Sequence, residues 1–379
     1  MVNVGIICEY NPFHNGHIYH INKVKEMFPN SRIVLVMSGN FLQRGDVSLI
    51  NKWDKTKIAL NHGVDLVVEL PFVFATQGAD KFAHGAIEIL DSLGVDKLVF
   101  GSECNDINFL KSLASIQINN KEYDNLVKNY VDDGVNYPTA MSLALHDLGG
   151  NTVDSPNDIL GLCYIKELLL MGSSIEPISI KRTSDYHSNL LDNICSASAI
   201  REAINLGKDI SNYVPSDSLE CINKECNIDN YFSFLQYKIM TCDDLSNYVT
   251  VDDSIKYRIK KNIKSCSSLD ELINCVKTKR YTYNRIKRMF LHILCNFTDS
   301  ENELCNDIHY IRVLGFDSLG RDFLNDIKGK CKIPIISNFS SLSDIMLDIE
   351  FRSTCVYSLI FDNKDAIISS EYKNKPIIK

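Results

Sequence analysis

Hydrophobic residues along the first half of the chain fall in short unbroken runs that alternate with amphipathic stretches. The runs are rich in Val, Ile and Leu, as expected for strands that are buried on both faces of a parallel sheet. They predict strands at the start of residues 4–20 and at 33–37, 64–70, 95–100 and 175–180. The stretches between them predict helices at about 51–62 and 78–93. This alternation predicts an α/β fold with a doubly wound parallel sheet.

The pattern changes in the second half of the chain. Residues 209–253 are polar and acidic, and residues 256–288 are strongly basic. A later apolar run predicts a strand and turn at 310–316, and most of the remaining pattern is helical. We therefore predict two domains, a ligand-binding α/β domain at 1–206 and a mostly helical domain at 207–379.

Composition narrows the class of protein without identifying it. Of the 379 residues, 45% are hydrophobic and 23% are charged, as in ordinary globular proteins. The chain has no apolar run of about 18 residues and no basic-then-apolar leader, so we expect no membrane span, no secretory signal and a cytoplasmic location. Its 13 cysteines are an odd number without a Cys-x-x-Cys pair, which argues against a disulfide framework and a zinc site. We predict no protein-bound metal.

The first predicted strand leads into a turn and a helix start that contain His14-Asn15-Gly16-His17. Gly16 removes a side chain where the backbone approaches a ligand, and the unpaired N–H groups of a helix start attract phosphate. His14 and His17 lie on one face of the first turn, where both imidazoles can stabilise a departing pyrophosphate. The tetrad resembles the phosphate site of HIGH-type nucleotidyltransferases and class I aminoacyl-tRNA synthetases. The alternative is a strand–turn–helix with two incidental histidines.

A polar loop follows the second predicted strand, at the sheet edge where α/β folds bind ligands. Its candidate substrate contacts are Ser38, Gly39, Asn40, Gln43 and Arg44. The guanidinium group of Arg44 can bind a phosphate or a carboxylate at this edge, and the side-chain amide of Gln43 can position a polar group of the ligand. A solvated loop is the alternative interpretation.

Two other positions are candidates for the nucleoside part of a ligand. Gly101 follows the strand at 95–100, where a loop can pass under a base, although a glycine there is as often a turn residue. Asn157 stands at the start of a predicted helix, where it can cap the helix or read an adenine or ribose edge.

A second phosphate site is predicted near the last strand of the α/β half. Lys181 and Arg182 end that strand, and Arg182 is a candidate anion clamp. Further on, Ser196, Ser198 and Arg201 begin a predicted helix at 198–206 and can cradle phosphate with the free N–H groups of that helix. This segment is similar to the Ser/Thr-rich, Ile-Arg-ending motif of nucleotidyltransferases, except that alanines replace two of the hydroxyl residues. A simple helix cap is the alternative.

Residues 256–288 hold eleven Lys and Arg against Asp270 and Glu271, a net charge of +9 in a chain whose overall charge is −8. Tyr281 and Tyr283 interleave with the basic residues, a combination that suits an RNA backbone and unstacked bases. A solvated helix face is the alternative. The candidate RNA contacts are Lys277, Lys279, Arg280, Arg285, Lys287 and Arg288.

Taken together, the start of the chain, the loop at 38–45, Ser-Pro-Asn at 155–157 and Lys-Arg at 181–182 resemble the bacterial tRNA(Met) cytidine acetate ligase family. The resemblance implies a nucleotidyltransferase-like Rossmann domain that binds ATP with Mg²⁺, followed by a tRNA-binding domain. It implies that acetate is activated as acetyl-adenylate and transferred to the wobble cytidine of elongator tRNA(Met). His14, His17 and Arg182 would stabilise the leaving pyrophosphate. The implied ATP contacts include Gly101, Asn157, Arg182 and the segment Ile7, Cys8, Glu9, Tyr10, Asn11, Pro12, Phe13, His14, Asn15, Gly16, His17, Ile18, Tyr19 and His20.

Two other classes of function stay open on the sequence. One is a small-molecule adenylyltransferase of the nicotinate or pantetheine-phosphate type, although such an enzyme has no use for a basic second half. The other is a non-catalytic nucleotide- or RNA-binding protein on the same fold, against which the complete His-x-Gly-His tetrad argues.

Overall fold

The computed structural model describes residues 1–150, 152–182 and 195–379. Its N-terminal half alternates strands and helices as the hydrophobic pattern predicts. The strands are β1 Asn3–Cys8, β2 Arg32–Ser38, β3 Leu66–Leu70, β4 Lys97–Ser102 and β5 Glu176–Lys181. The helices are α1 Asn15–Met27, α2 Lys52–Asn61, α3 Phe72–Ala75, α4 Ala79–Ser92, α5 Ile107–Asn119, α6 Tyr123–Asp132, α7 Tyr137–Asp147, α8 Pro156–Leu170 and α9 Ala197–Asn205.

The second half is mainly helical and contains three further strands among the described residues. Its helices are α10 Ser216–Cys221, α11 Phe232–Thr241, α12 Asp253–Asn262, α13 Leu269–Val276, α14 Tyr283–Leu294, α15 Asp299–Leu304, α16 Ser318–Asp326, α17 Ile345–Ser358 and α18 Lys364–Lys373. Its strands are β6 Ile311–Phe316, β7 Ile335–Ile336 and β8 Ile377–Ile378. Short 3₁₀ turns lie at Ile228–Tyr231, Leu245–Asn247 and Phe339–Ser341.

The sheet confirms the predicted doubly wound α/β class. The strand order is β5-β4-β1-β2-β3-β6-β7, with β8 paired to β6, and β1 to β5 are mutually parallel. The chain runs from β1 outward to β3 on one side and through β4 to β5 on the other. The order therefore reverses between β1 and β4, and the loops there diverge to leave a ligand crevice. The His-x-Gly-His tetrad follows β1 directly, so it lies at this crevice.

The last part of the chain returns to the sheet, which the prediction of a separate helical domain at 207–379 did not include. Strand β6 pairs antiparallel with β3 and places Arg312 opposite Glu69. The guanidinium lies 3.0 Å from the Glu69 carboxylate and 2.9 Å from that of Glu371. The buried Lys52 ammonium contacts Glu69 at 2.7 Å, Glu350 at 3.2 Å and also Glu371. Because removing one partner leaves a buried charge uncompensated, this network ties the C-terminal helices firmly to the sheet.

The middle of the second half forms a separate small core. Helices α11 to α14 bury apolar residues against one another, among them Ile255, Leu272 and Met289. We call these four helices the helical unit. Helix α14 has one strongly apolar face, and its opposite face carries the basic residues. None of the described helices is long and apolar enough to cross a membrane.

Candidate active site

A cavity of about 910 Å³ opens at the carboxyl ends of β1, β4 and β5 and extends to helix α14. This volume is in the range of small-molecule and cofactor sites. Most of the predicted site residues line it: Ile7, Cys8, Glu9, Tyr10, Asn11, His14, Gly16, His17, Tyr19, His20, Gln43, Arg44, Gly101, Asn157, Arg182, Ser196, Ser198, Arg201, Arg280, Arg285 and Arg288. The other predicted residues are outside its lining: Pro12, Phe13, Asn15, Ile18, Ser38, Gly39, Asn40, Lys277, Lys279 and Lys287.

His14 and His17 cap the helix that carries them. The Gly16 N–H donates to His14 Nδ1 at 3.0 Å, and the His14 N–H donates to His17 Nδ1 at 3.2 Å. This reciprocal pair is a capping box built from imidazoles instead of the usual hydroxyl and carboxylate. Because both Nδ1 atoms accept hydrogen bonds, each neutral ring carries its proton on Nε2. Phosphate contacts were predicted for both residues from the sequence, but this capping role was not.

The histidines of α1 are held neutral. Burial, reinforced by Arg182 and Arg201, lowers the pKa of His14 to about 3. Burial also lowers the pKa of His17 well below its ordinary value, and it lowers the pKa of His20 to about 4. At neutral pH the rings are therefore uncharged, and His14 and His17 offer Nε2–H groups as hydrogen-bond donors beside two guanidinium groups. An anion in the cavity would face these donors and the positive end of α1.

Arg201 and Arg182 reach this region from different elements. The Arg201 guanidinium donates to the Asn11 carbonyl at 2.8 Å and to Ser198 Oγ at 3.1 Å, so it is fixed against the turn after β1. Arg182 Nε lies 3.4 Å from Glu103 Oε1, at the end of β5. Ser196 is the N-cap of α9, its hydroxyl accepting from the Ala199 N–H at 3.2 Å, and it also lines the cavity.

Residues that sequence reasoning missed hold the loop after β4. Asp158 accepts from the Glu103 N–H at 3.0 Å, from the Cys104 N–H at 2.9 Å and from the hydroxyls of Ser102 and Ser155. The spacing Ser155-x-x-Asp158 before an apolar helix is the signal that could have identified it.

Asn157 and Gly101 both lie at this side of the cavity. Asn157 is not the cap of α8, because Ser155 occupies that position. The Asn157 amide instead donates to the Glu103 carboxylate. At Gly101 a Cβ would come within 3.3 Å of Arg182 Cγ, so the absence of a side chain leaves room for that arginine.

The polar loop after β2 divides into a supporting part and a lining part. The buried Lys55 ammonium donates to the carbonyls of Ser38 and Gly39, each at 2.8 Å. The Asn40 side chain accepts from the Lys52 N–H at 3.3 Å. These three residues were predicted as substrate contacts, and they are outside the lining of the cavity.

The lining part of the loop connects the sheet to the helical unit. The Gln43 N–H donates to Glu9 Oε1 at 2.7 Å, and the Gln43 carbonyl accepts from Arg288 at 3.3 Å. The Lys287 ammonium pairs with the Asp46 carboxylate. Arg280 and Arg285 complete the wall on the side of α14. Lys277 and Lys279 are exposed outside the cavity.

Two clusters among the described residues have metal-ligating side chains close together, and neither lines the cavity. Glu69, Glu350 and Glu371 surround the Lys52 ammonium, which already supplies their positive charge. His84, Glu88 and Asp307 lie between α4 and the segment before β6.

Comparison with known proteins identifies full-length relatives. A family model described as HIGH Nucleotidyl Transferase matches residues 1–371. The chain is 39% identical over 394 residues to a tRNA(Met) cytidine acetate ligase of Caldicellulosiruptor saccharolyticus, covering 100% of this chain and 98% of that protein. It is 37% identical over 402 residues to a tRNA(Met) cytidine acetate ligase of Anoxybacillus flavithermus, covering 100% of both.

Comparison with solved structures identifies proteins with a similar fold. The fold is similar to the apo crystal structure of Thermotoga maritima TmcAL, with a TM-score of 0.91, 32% identity and coverage of 100% of this chain and 99% of that chain. A second Thermotoga maritima TmcAL structure, bound with alpha-thio ATP, has a TM-score of 0.90 at the same identity and coverage.

Proposed function

This chain belongs to the tRNA(Met) cytidine acetate ligase family of the HIGH nucleotidyl transferases, and from this premise we propose that it is an ATP-dependent ligase that acetylates a tRNA cytidine. In the first step, acetate and ATP give acetyl-adenylate and pyrophosphate. In the second, the exocyclic amine of the wobble cytidine of elongator tRNA(Met) takes the acetyl group, which gives N4-acetylcytidine and AMP.

The observation that carries the proposal is the donor set around the start of α1. Two neutral imidazoles with Nε2–H donors, the helix N-terminus, Arg182 and Arg201 converge on one end of the cavity. An acetate oxygen that attacks the α-phosphorus breaks its bond to the bridging oxygen, and negative charge accumulates on the leaving pyrophosphate. Fixed donors at that position stabilise the charge without reorganising.

ATP enters as its Mg²⁺ complex in this proposal, so the metal belongs to the substrate. The ion shares the charge of the triphosphate with the two arginines. Among the described residues, both clusters of metal-ligating side chains lie outside the lining of the cavity, so the triphosphate would supply the protein-independent ligands of the ion.

The helical unit explains why a cavity of this kind suits an RNA substrate. Arg280, Arg285 and Arg288 line the wall opposite the tetrad, and Lys277 and Lys279 extend the positive charge onto the outer surface. A single-stranded anticodon loop can present an unstacked base to the cavity while its phosphates contact these cations.

Nucleoside analysis tests the proposal directly. The protein is incubated with MgATP, labelled acetate and tRNA, and pyrophosphate release and labelled N4-acetylcytidine are measured together. We expect both products, with pyrophosphate release dependent on acetate. Pyrophosphate release with nicotinate mononucleotide or phosphopantetheine, and none with acetate, would instead establish a small-molecule adenylyltransferase. Tight ATP or tRNA binding without any turnover would make the protein a non-catalytic binder.

A further inference from the structure

Glu9 lies between the two positively charged ends of the cavity. It is the first residue after β1, where the segment that leads to the tetrad begins, and it lines the cavity. On the side of the tetrad, the positive charge of Arg201 lowers the pKa of the Glu9 carboxyl. On the side of the loop after β2, the negative charge of Asp46 raises it. Through Gln43, which bonds Glu9 with its N–H and Arg288 with its carbonyl, this carboxylate is also connected to α14.

Both the backbone and the side chain of Glu9 are fixed. The Lys55 ammonium donates to the Glu9 carbonyl at 3.0 Å, and the Gln43 N–H donates to Oε1 at 2.7 Å. The other oxygen, Oε2, has no hydrogen bond to the described residues. A carboxylate oxygen with free lone pairs is therefore held in place at the lining of the cavity, where a ligand can donate to it.

The second step of the proposed reaction needs such an acceptor. The exocyclic amine of cytosine is a weak nucleophile because its lone pair is delocalised into the ring. As it attacks the acetyl carbon, it becomes acidic and must lose a proton. A carboxylate is the side chain that pairs with this amine in base recognition, and a positioned base that accepts the proton accelerates such a step by about 10²–10⁴-fold.

We propose that Glu9 receives the acceptor amine of the RNA and removes its proton during acetyl transfer, an inference that rests on the proposed ligase function. The amine donates to Oε2 and attacks the acetyl carbonyl carbon. The N–C bond forms as the bond from that carbon to the phosphate oxygen breaks, AMP leaves with the electron pair, and the amine proton moves to Glu9. AMP then departs on the side of Arg182 and Arg201.

The surroundings of Glu9 favour this role. Burial raises the pKa of its carboxyl, and Asp46 raises it further, so Glu9 is a stronger base than an exposed carboxylate. Arg285 and Arg288 have no carboxylate of the described residues within 4.0 Å, and both line the cavity next to the loop that holds Glu9. They are therefore available to the phosphates that flank the reacting nucleotide, which directs the RNA to Glu9 from the side of α14.

The test separates the two steps. Acetate-dependent ATP–pyrophosphate exchange without tRNA reports on adenylation, and single-turnover transfer from enzyme-bound acetyl-adenylate to tRNA reports on the second step. In Glu9→Gln the amide oxygen can still accept from Gln43, but it cannot take a proton. We expect transfer to fall on the order of 10²-fold and the ratio of transfer to exchange to fall at least about 30-fold.

The pH profile distinguishes a base from a structural residue. Wild-type transfer should rise with pH and reach a plateau above the pKa of Glu9, and the profile of Glu9→Gln should be flat. Asp46→Asn removes one negative charge near Glu9, from the loop after β2, and should retain the pH-dependent rise with its midpoint displaced to lower pH. A slower Glu9→Asp should also retain the rise. Equal losses of exchange and transfer in Glu9→Gln, or transfer within threefold of wild type, would overturn the inference. Absence of acetate-dependent exchange in the wild type would instead refute the ligase function itself.

Discussion

The two ends of the cavity are built in different ways. The nucleotide end, formed by His14, His17, Arg182 and Arg201, depends on a capping box whose members are three residues apart in the chain. The helical end, formed by Arg280, Arg285 and Arg288, is held by contacts such as that of Arg288 with Gln43, 245 residues away. The difference indicates that the orientation of the two histidines is set locally, whereas access for the RNA depends on how the helical unit docks.

The largest expected effect is at the nucleotide end. His14→Ala removes both the Nε2–H donor and the cap acceptor, and we expect adenylation to fall by on the order of 10²-fold or more. Measured by ATP–pyrophosphate exchange, activity within twofold of wild type would remove His14 from the mechanism. His14→Asn is the matched control, because Asn is a good N-cap. It should restore the roughly 1 kcal/mol of stability that His14→Ala loses, while exchange stays low.

The second prediction concerns a substitution that should disturb the docking of the helical end and leave the nucleotide end intact. Gly45 has a φ of 76°, and a Cβ there would lie 2.8 Å from the backbone of Lys287 and Arg288. We expect Gly45→Ala to destabilise the protein by about 2 kcal/mol, through backbone strain and the displacement of α14. Urea denaturation measures the loss, and transfer to tRNA should decline more than ATP–pyrophosphate exchange.

Gly94 provides the control for that change. Its φ is 71°, but nothing lies within 4 Å of a Cβ built there. Gly94→Ala should therefore cost only about 1 kcal/mol, the part that is due to backbone conformation. Equal losses of stability in the two variants would contradict the close docking of α14 against the loop.

The third prediction concerns the outer surface of the helical end. Lys277, Lys279 and Arg280 are exposed and have no carboxylate of the described residues within 4.0 Å. We expect the triple alanine variant to raise the KM for tRNA about tenfold and to reduce the salt slope of binding by about two, since each lost phosphate contact contributes about 0.7–0.9. Filter binding at several salt concentrations measures this.

A second triple alanine variant, which removes three positive charges from another surface, is the control for overall net charge. Lys111, Lys121 and Lys128 are exposed on the α5–α6 side of the molecule, and their replacement by alanine should leave the salt slope unchanged. A parallel loss in both triple variants would mean that tRNA responds to overall charge and not to the helical end. Lys287 and Arg288 are less suitable, because their contacts with Asp46 and Gln43 also hold the loop.

The smallest expected effect is on the pH dependence of the free energy of unfolding, through His14 at the nucleotide end. The pKa of His14 is about 3 in the folded protein, and that of an unfolded imidazole is about 6.5. Between these values the unfolded chain binds more protons, so the free energy of unfolding decreases as pH falls below about 6.5. We expect His14→Asn to remove about 1 kcal/mol of the loss between pH 7 and 5.5. An unchanged pH dependence in that variant would show that the folded ring is protonated.

The sequence was sufficient for features that depend on neighbouring residues. Apolar runs predicted the parallel strands because a strand that is covered on both faces needs an apolar side chain at nearly every position. The tetrad begins α1 as its sequence predicts, because a glycine and capping side chains at a helix start act on neighbouring residues. The anion site proposed there stays a prediction. The resemblance of four motifs to one family identified that family correctly.

Tertiary structure decided what depends on distant parts of the chain. A strand was expected at 310–316, but its antiparallel pairing with β3 and the burial of Arg312 against Glu69 depend on docking. The same applies to Ser38 and Gly39, which belong to a polar stretch that suggested substrate contacts; they are outside the cavity lining, and their carbonyls accept from Lys55. Of the six predicted RNA contacts, only Arg280, Arg285 and Arg288 face the cavity. Polarity alone does not show whether a group is satisfied by water, by ligand or by a buried partner, because that choice is made when remote segments pack together.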